Sequence, residues 1–241
     1  MKARQHETTA GVNATPEKVW RAVSEAEGLM RWFSPAARVT PGVGGEFWTS
    51  WGEGMDWPAR ITVWEPEQHL RAESDGSAQV VDYYIEAAGG ETVLRIAHSG
   101  FGEGAEWDGE YNSTKHGWAV FVRILKHAVE IHDGKPCLQT AISVPMTIGR
   151  EEAWGRFASE EGFAISKGRF QLAGSRIGGV IDAIRPPGEF TGLVDSLDQA
   201  VLWVTLFPKA ATLMMLSYGV EPERVEAAAA ELRAAFERLA Q

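Results

Sequence analysis

The sequence predicts an α+β protein built from two similar tandem units, and three observations predict it. First, the stretches Val12–Met30 (VNATPEKVWRAVSEAEGLM) and Met146–Ala164 (MTIGREEAWGRFASEEGFA) carry one pattern. Aligning Trp20 with Trp154 also aligns Glu17 with Glu151, Glu27 with Glu161, Gly28 with Gly162 and Leu29 with Phe163. Such self-similarity marks repeated structure. Second, each stretch is followed by strand-like runs and then by one long amphipathic helical pattern. Third, 241 residues suit two domains of roughly 100–135 residues better than a single core. The expected domains are 1–134 and 138–241, joined by the linker Asp133–Pro136.

In the first copy, alternating residues precede Thr15, which is placed to cap a helix that Pro16 starts, with Glu17 in its first turn. Val19, Trp20 and Val23 form one apolar face, and Gly28 is expected to end the helix. A short second helix is expected to hold Leu29, Trp32 and Phe33. After the turn Pro41–Gly45, strand-like runs are read at Glu46–Trp51, Ala59–Trp64, Leu70–Ser74, Gln79–Glu86 and Thr92–Ser99. The closing helix places Trp118, Val122, Leu125 and Val129 at steps of four, three and four.

The second copy repeats this order in fewer residues. Thr140–Val144 reads as a strand and Arg150–Ala158 as a helix with Glu151 and Glu152 near its positive end. Strands follow at Arg169–Ala173, Gly178–Ile184, Gly192–Ser196, Ala200–Phe207 and Thr212–Tyr218, and the last helix carries Val225, Ala229, Leu232, Phe236 and Leu239.

Composition narrows the function. No apolar run approaches the roughly 20 residues that span a bilayer, and the first ten residues do not resemble a signal peptide, so a soluble, cytoplasmic protein without membrane insertion is expected. A net charge of −10 offers no basic face for nucleic acid. The lone Cys137 excludes an intrachain disulfide and a cysteine-cluster metal site. There is no Gly-x-Ser-x-Gly elbow, phosphate loop or His-Glu-x-x-His motif. His116, His127 and His132 are read on one helix, where the step from 127 to 132 puts those two on different faces. Neither a metal nor a cofactor is expected.

The first copy resembles the START-like or SRPBCC superfamily, and within it the group related to the activator of Hsp90 ATPase (AHSA1-like). The resemblance rests on VNATPEKVWRAVSEAEGLMRWF, the Pro-Gly-x-Gly-Gly turn at 41–45, Trp64-Glu-Pro with Leu70 following, Thr92-Val-Leu-Arg-Ile-Ala-His98-Ser-Gly100, and Gly117-Trp118 opening the last helix. It covers most of residues 8–132, and the second copy is similar mainly through the internal match. What the resemblance implies is two tandem helix-grip (START/Bet v 1-like) domains, each a curved antiparallel sheet wrapped around a long C-terminal helix. Cavities between sheet and helix in that superfamily commonly hold hydrophobic small molecules.

Three functions follow as expectations: a binder of a hydrophobic or aromatic small molecule in the first domain, an enzyme of the polyketide cyclase or hydrolase kind, and an Hsp90-activator-like or other protein-interaction module. Alternation in the strand 92–99 turns Leu94, Ile96 and His98 the same way, toward the helix. An imidazole there can orient a ligand or act as a base assisted by Tyr83 or by an acid from the rim of the site. Trp32, Phe33, Trp48, Trp51 and Trp57 are denser in aromatics than a small sheet needs, which suits a flat ligand. The expected ligand-binding set is these five with Tyr83, His98, Phe101, Trp107 and Trp118. Two Gly-Glu-Gly loops, 52–57 and 102–107, each end in an acid and a tryptophan and are expected to form an acidic, aromatic rim with Asp108 and Glu110.

The copies differ in length. From Met30 to Pro66 the first spans 36 positions where Ala164 to Pro186 spans 22, and from Gly100 to Trp118 it spans 18 where Gly219 to Val225 spans six. His98 is matched by Ser217. The first domain is therefore the ligand-competent one in this reading, and the second a trimmed copy.

Overall fold

Thr15 begins the first helix as its neighbours dictate: its Oγ1 accepts from the Lys18 backbone N–H at 3.4 Å, Pro16 occupies the first turn, and Glu17 faces the positive helix end. In the computed structural model, which describes residues 4–241, the chain divides at Gly134 and Lys135 into two compact units. Each is α+β, and each follows the helix-grip plan of an antiparallel sheet with a long closing helix.

The first unit opens with β1 (Arg4–Val12), whose alternation buries His6 and Val12 and exposes Gln5, Glu7 and Thr9. Then come α1 (Pro16–Ser24), α2 (Ala26–Leu29), β2 (Ala36–Val39), β3 (Glu46–Ser50), β4 (Asp56–Glu65), β5 (His69–Ser74), β6 (Val80–Ala88) and β7 (Glu91–Phe101). All pairings are antiparallel in the order β1-β7-β6-β5-β4-β3-β2. A 3-10 turn at Ala105–Trp107 leads into α3 (Asp108–Glu130), which buries Trp118, Val122, Leu125 and Val129 at the expected spacing.

Several expected boundaries shift. The strand β2 lay outside the strand-like runs, because Ala36–Val39 shows no clear alternation of burial. Trp32 and Phe33 follow α2 in a turn rather than lying within it. The helix α3 starts ten residues before Trp118, where Asp108 and Glu110 supply the acidic first turn that a helix N-terminus favours. The resemblance placed the opening of this helix at Gly117-Trp118, so Asp108 and Glu110 of the expected acidic rim lie in the helix.

Gly28 does not end α1. It lies within α2, and a Cβ there would stand 2.1 Å from the Arg21 carbonyl oxygen. Gly162 repeats the arrangement, 2.4 Å from the Arg156 carbonyl oxygen. The glycines match because in both units the chain passes close beneath the end of the preceding helix. Gly28→Ala and Gly162→Ala are each expected to destabilise their own unit by roughly 1–3 kcal/mol, the usual penalty of forced overpacking. Gly155→Ala, in open space on a helix, is expected to be neutral or stabilising. Denaturant midpoints check this, and equal midpoints for Gly28→Ala and the parent would contradict it.

The second unit runs β8 (Cys137–Pro145), α4 (Arg150–Ala158), β9 (Arg169–Gln171), β10 (Gly178–Arg185), β11 (Glu189–Val194), β12 (Ala200–Leu206), β13 (Ala210–Tyr218) and α5 (Pro222–Leu239). Its sheet order, β8-β13-β12-β11-β10-β9, repeats that of the first with no counterpart to the outermost strand β2. The missing strand coincides with the first of the two shortenings. Its interior is mainly apolar, with Phe157, Phe163, Phe170, Phe190 and Phe236 in contact among Leu, Val and Ile side chains and Ser217 buried on the inner parity of β13.

Candidate functional site

In the first unit the interior is built where β7, β1 and α3 meet. Leu94, Ile96 and His98 do share the inner face of β7, being 0%, 1% and 6% exposed. His6, 5% exposed, is the direct cross-strand partner of His98, so the two imidazoles lie side by side with ring centroids 5.5 Å apart. From α3, Thr114 and Trp118 lie four residues apart and therefore on one face; they meet His6 and His98 respectively.

The hydrogen bonds fix the state of His98 and assign that of His6 through the Thr114 hydroxyl. Trp118 Nε1 has a proton and no acceptor capacity, and it donates to His98 Nδ1 at 3.1 Å. His98 Nδ1 is thus unprotonated and Nε2 carries the hydrogen. The Thr114 hydroxyl donates to the Glu110 carbonyl at 2.9 Å, with the Tyr111 carbonyl 3.2 Å away. Its oxygen is then free to accept from His6 Nε2, 3.0 Å distant, which leaves His6 Nδ1 as a bare lone pair. Both remaining atoms, His98 Nε2 and His6 Nδ1, are buried without a hydrogen-bond partner. Burial pushes His98 down to about 3, helped by His6 beside it, and His6 down to about 4, helped by the Lys115 ammonium. Both rings are neutral near pH 7. With one nitrogen occupied and the other protonated, His98 has no lone pair with which to act as the base envisaged from sequence. Burial also raises Tyr83 far above the ordinary phenol range, so it stays protonated.

An aromatic wall continues from the histidines. Phe33 stacks on Trp118 at 4.9 Å and 7°, and Trp51 meets Phe33 edge-on at 4.7 Å while its Nε1 donates to the Phe33 carbonyl. Trp32 and Tyr83 lie 6.3 and 6.1 Å from Trp118, Phe101 lies 4.6 Å from His98, and Trp57 reaches Tyr83 through Phe47. Eight of the ten expected residues thus form one connected set. Trp48 is not among them: it alternates with the buried Phe47 and Thr49, so it faces the other side of β3, where Arg38 lies over its ring at 3.8 Å. Trp107 packs instead over Gly102, whose Cβ would come within 2.3 Å of its Nε1.

Two acids of the expected rim are engaged by the fold. Asp108 pairs with Arg4 at 2.7 Å and Glu110 accepts from Gln79 at 2.6 Å, while Glu53, Asp56, Glu103 and Glu106 are exposed. A surface depression of about 480 Å³ lies elsewhere, lined by residues 13–16, Lys18 and the hairpin residues 87–92. Sequence reasoning missed His6, Thr114 and Phe121. His6 had a usable signal, since it shares parity with Val12 on β1. The separation of His127 and His132 is also corrected: α3 ends at Glu130, helical spacing no longer holds, and their Nε2 atoms stand 3.2 Å apart. Among the described residues no group of three or more His, Cys, Asp or Glu could hold a metal ion, and no helix is long and apolar enough to cross a membrane.

Residues 13–130 match the family model described as activator of Hsp90 ATPase homolog 1-like protein, a span that covers nearly all of the first unit. The first unit is an AHSA1-like domain. Solved structures similar to the chain include the Aha1 dimer from Colwellia psychrerythraea, at 23% identity over 54% of this chain and 99% of that one with a TM-score of 0.49. A protein from Bacillus halodurans is 27% identical over 54% and 100% of the two chains, with a TM-score of 0.48. DynU16, a protein in the dynemicin biosynthetic locus, is 18% identical and covers 98% of this chain and 97% of its own, with a TM-score of 0.46. No curated protein matches the chain. The histidine pair belongs to the AHSA1-like domain alone: in the second unit the strand position of His98 is held by Ser217, paired with Leu138 as His98 is with His6.

Proposed function

We propose that the AHSA1-like domain binds a small molecule, holding a flat, largely apolar ligand among the aromatic side chains between its sheet and α3 for sequestration, transport or sensing. One observation carries this reading. An interior of aromatic rings contains two neutral, buried imidazoles, each with a nitrogen that has no partner. A buried polar atom left unpaired is unfavourable by about 1–3 kcal/mol, and folds rarely tolerate it without a use for the group. The comparable interior of the second unit is filled mainly by phenylalanine and aliphatic side chains, with the small Ser217 hydroxyl where His98 stands. Aromatic surfaces with a few convergent polar atoms are what small-molecule sites present.

Binding in this reading opens the Phe33–Trp118 stack, with Trp51 and Phe121 beside it, so that the ligand replaces ring–ring contacts with its own. Trp32, Phe33, Trp51, Trp57, Tyr83, His98, Phe101 and Trp118 are the proposed contacts, with Trp107 at the margin. Flat aromatic compounds screened against the full chain are expected to quench tryptophan fluorescence and raise Tm. A compound at a hundredfold excess over its Kd adds about 2.7 kcal/mol to the stability of the bound domain. A broad panel that produced neither quenching nor a Tm rise would contradict the proposal.

A further inference from the structure

The two unpaired nitrogens are not equivalent, and the difference restricts what fits. His98 Nε2 carries a hydrogen because Trp118 Nε1–H occupies Nδ1. His6 Nδ1 carries none in the arrangement in which the Thr114 hydroxyl gives its hydrogen to the Glu110 carbonyl and accepts from His6 Nε2. The first assignment is set by the Trp118 N–H, and the second by the hydrogen bond from Thr114 to the Glu110 carbonyl. Moving the proton of His98 to Nδ1 would set two donors against each other, and moving that of His6 to Nδ1 would require the Thr114 hydroxyl to turn its hydrogen from the Glu110 carbonyl to His6 Nε2. The interior therefore presents one N–H donor and one lone-pair acceptor on neighbouring strands in direct register. Phe101 packs against both rings, at 5.4 Å from His6 and 4.6 Å from His98.

We propose that this pair selects a planar aromatic ligand whose edge carries a carbonyl acceptor beside an N–H or O–H donor, such as a lactam or an enolised hydroxy-carbonyl. The carbonyl accepts from His98 Nε2–H and the adjacent donor gives its hydrogen to His6 Nδ1. Ring centroids 5.5 Å apart are within reach of one such short edge, since each hydrogen bond adds roughly 2.9 Å between heavy atoms. A purely apolar ligand would leave both nitrogens unpaired. A ligand with only an acceptor, or only a donor, would satisfy one. The aromatic side chains supply affinity for the ring system, and the imidazoles supply the choice among ring systems. This inference rests on the small-molecule reading of the same interior.

Three compounds of nearly one shape test it: naphthalene, carbostyril with its adjacent lactam N–H and C=O, and N-methylcarbostyril, which keeps the carbonyl and loses the donor. Calorimetric titration of the full chain is expected to show carbostyril binding at least about tenfold more tightly than either, the usual size of one well-placed hydrogen bond. In His98→Leu and His6→Leu the preference is expected to collapse to within about twofold. If all three compounds bind the parent chain equally, the donor–acceptor inference fails while the small-molecule reading stands; that is also the outcome if a trapped water already satisfies both nitrogens. If none binds, both fail. Should either variant not fold, the ranking on the parent chain still decides. The tautomers are checked separately by nitrogen-15 spectra of the histidine side chains, which are expected to show Nε2–H at both positions. A proton on Nδ1 of either ring would overturn the assignment.

Discussion

Replacing Trp118 by alanine is expected to destabilise the first unit by about 4 kcal/mol, near the upper end for a large aromatic removed from a core. The side chain is 5% exposed, stacks on Phe33, meets Trp32, Tyr83 and Phe121 edgewise or tilted, and donates to His98. Truncation removes those contacts and also strips His98 Nδ1 of its donor, so a second buried nitrogen becomes unpaired. Trp118→Phe separates the two losses. It keeps most of the ring packing and removes the donor, and its expected effect is about 1–3 kcal/mol. Eight of the ten tryptophans precede residue 134, so denaturant unfolding followed by tryptophan fluorescence reports mainly on this unit. Equal unfolding midpoints for the parent and Trp118→Ala would contradict the packing described.

Acid is expected to destabilise the same unit before it protonates most carboxylates. His6 and His98 titrate near 4 and 3 in the folded chain and near 6.5 when unfolded. Between those values the unfolded chain binds protons that the folded chain refuses, so the stability present above about pH 7 is lost as the pH falls. The loss at pH 5 is roughly 2 kcal/mol for each imidazole, and it levels off only below the folded values. Burial is the main reason the charged forms are resisted, and two contacts add to it. An imidazolium at His98 would point an N–H at the Trp118 N–H, and one at His6 would face the Lys115 ammonium. The midpoint of unfolding between pH 7 and 5 is expected to fall steeply in the parent and about half as steeply in His98→Leu. A flat profile in the parent would show that these imidazoles are not buried neutral groups.

The parts of this molecule that could be read from sequence are those written in local periodicity. Alternation located β4 to β7 and most strands of the second unit, and the spacing from Trp118 to Val129 gave the buried face of α3. The match between Gly28 and Gly162 was legible as a repeat, but its cause was not. It lies in a close approach of backbone to a helix end, which no local pattern records. Trp48 was misplaced because aromatic density was counted without the alternation that turns it away from Phe47. Asp108 and Glu110 were read as part of an acidic rim, although acids in a first helical turn were an available signal for the start of α3. His98 could be placed on an inner face, but its tautomer depends on Trp118, twenty residues away, and its partner His6 sits across the sheet. Those relations exist only after folding.

The central claim is that His6 and His98 form a donor–acceptor pair that receives a ligand inside the AHSA1-like domain. The most direct measurement is the nitrogen-15 side-chain spectrum of all six histidines during titration with carbostyril. His6 Nδ1 and His98 Nε2 are expected to shift together and saturate at one equivalent, while His69, which bonds to Asp82 on the sheet's other face, stays fixed. Saturable binding that leaves both His6 and His98 unmoved would contradict the account.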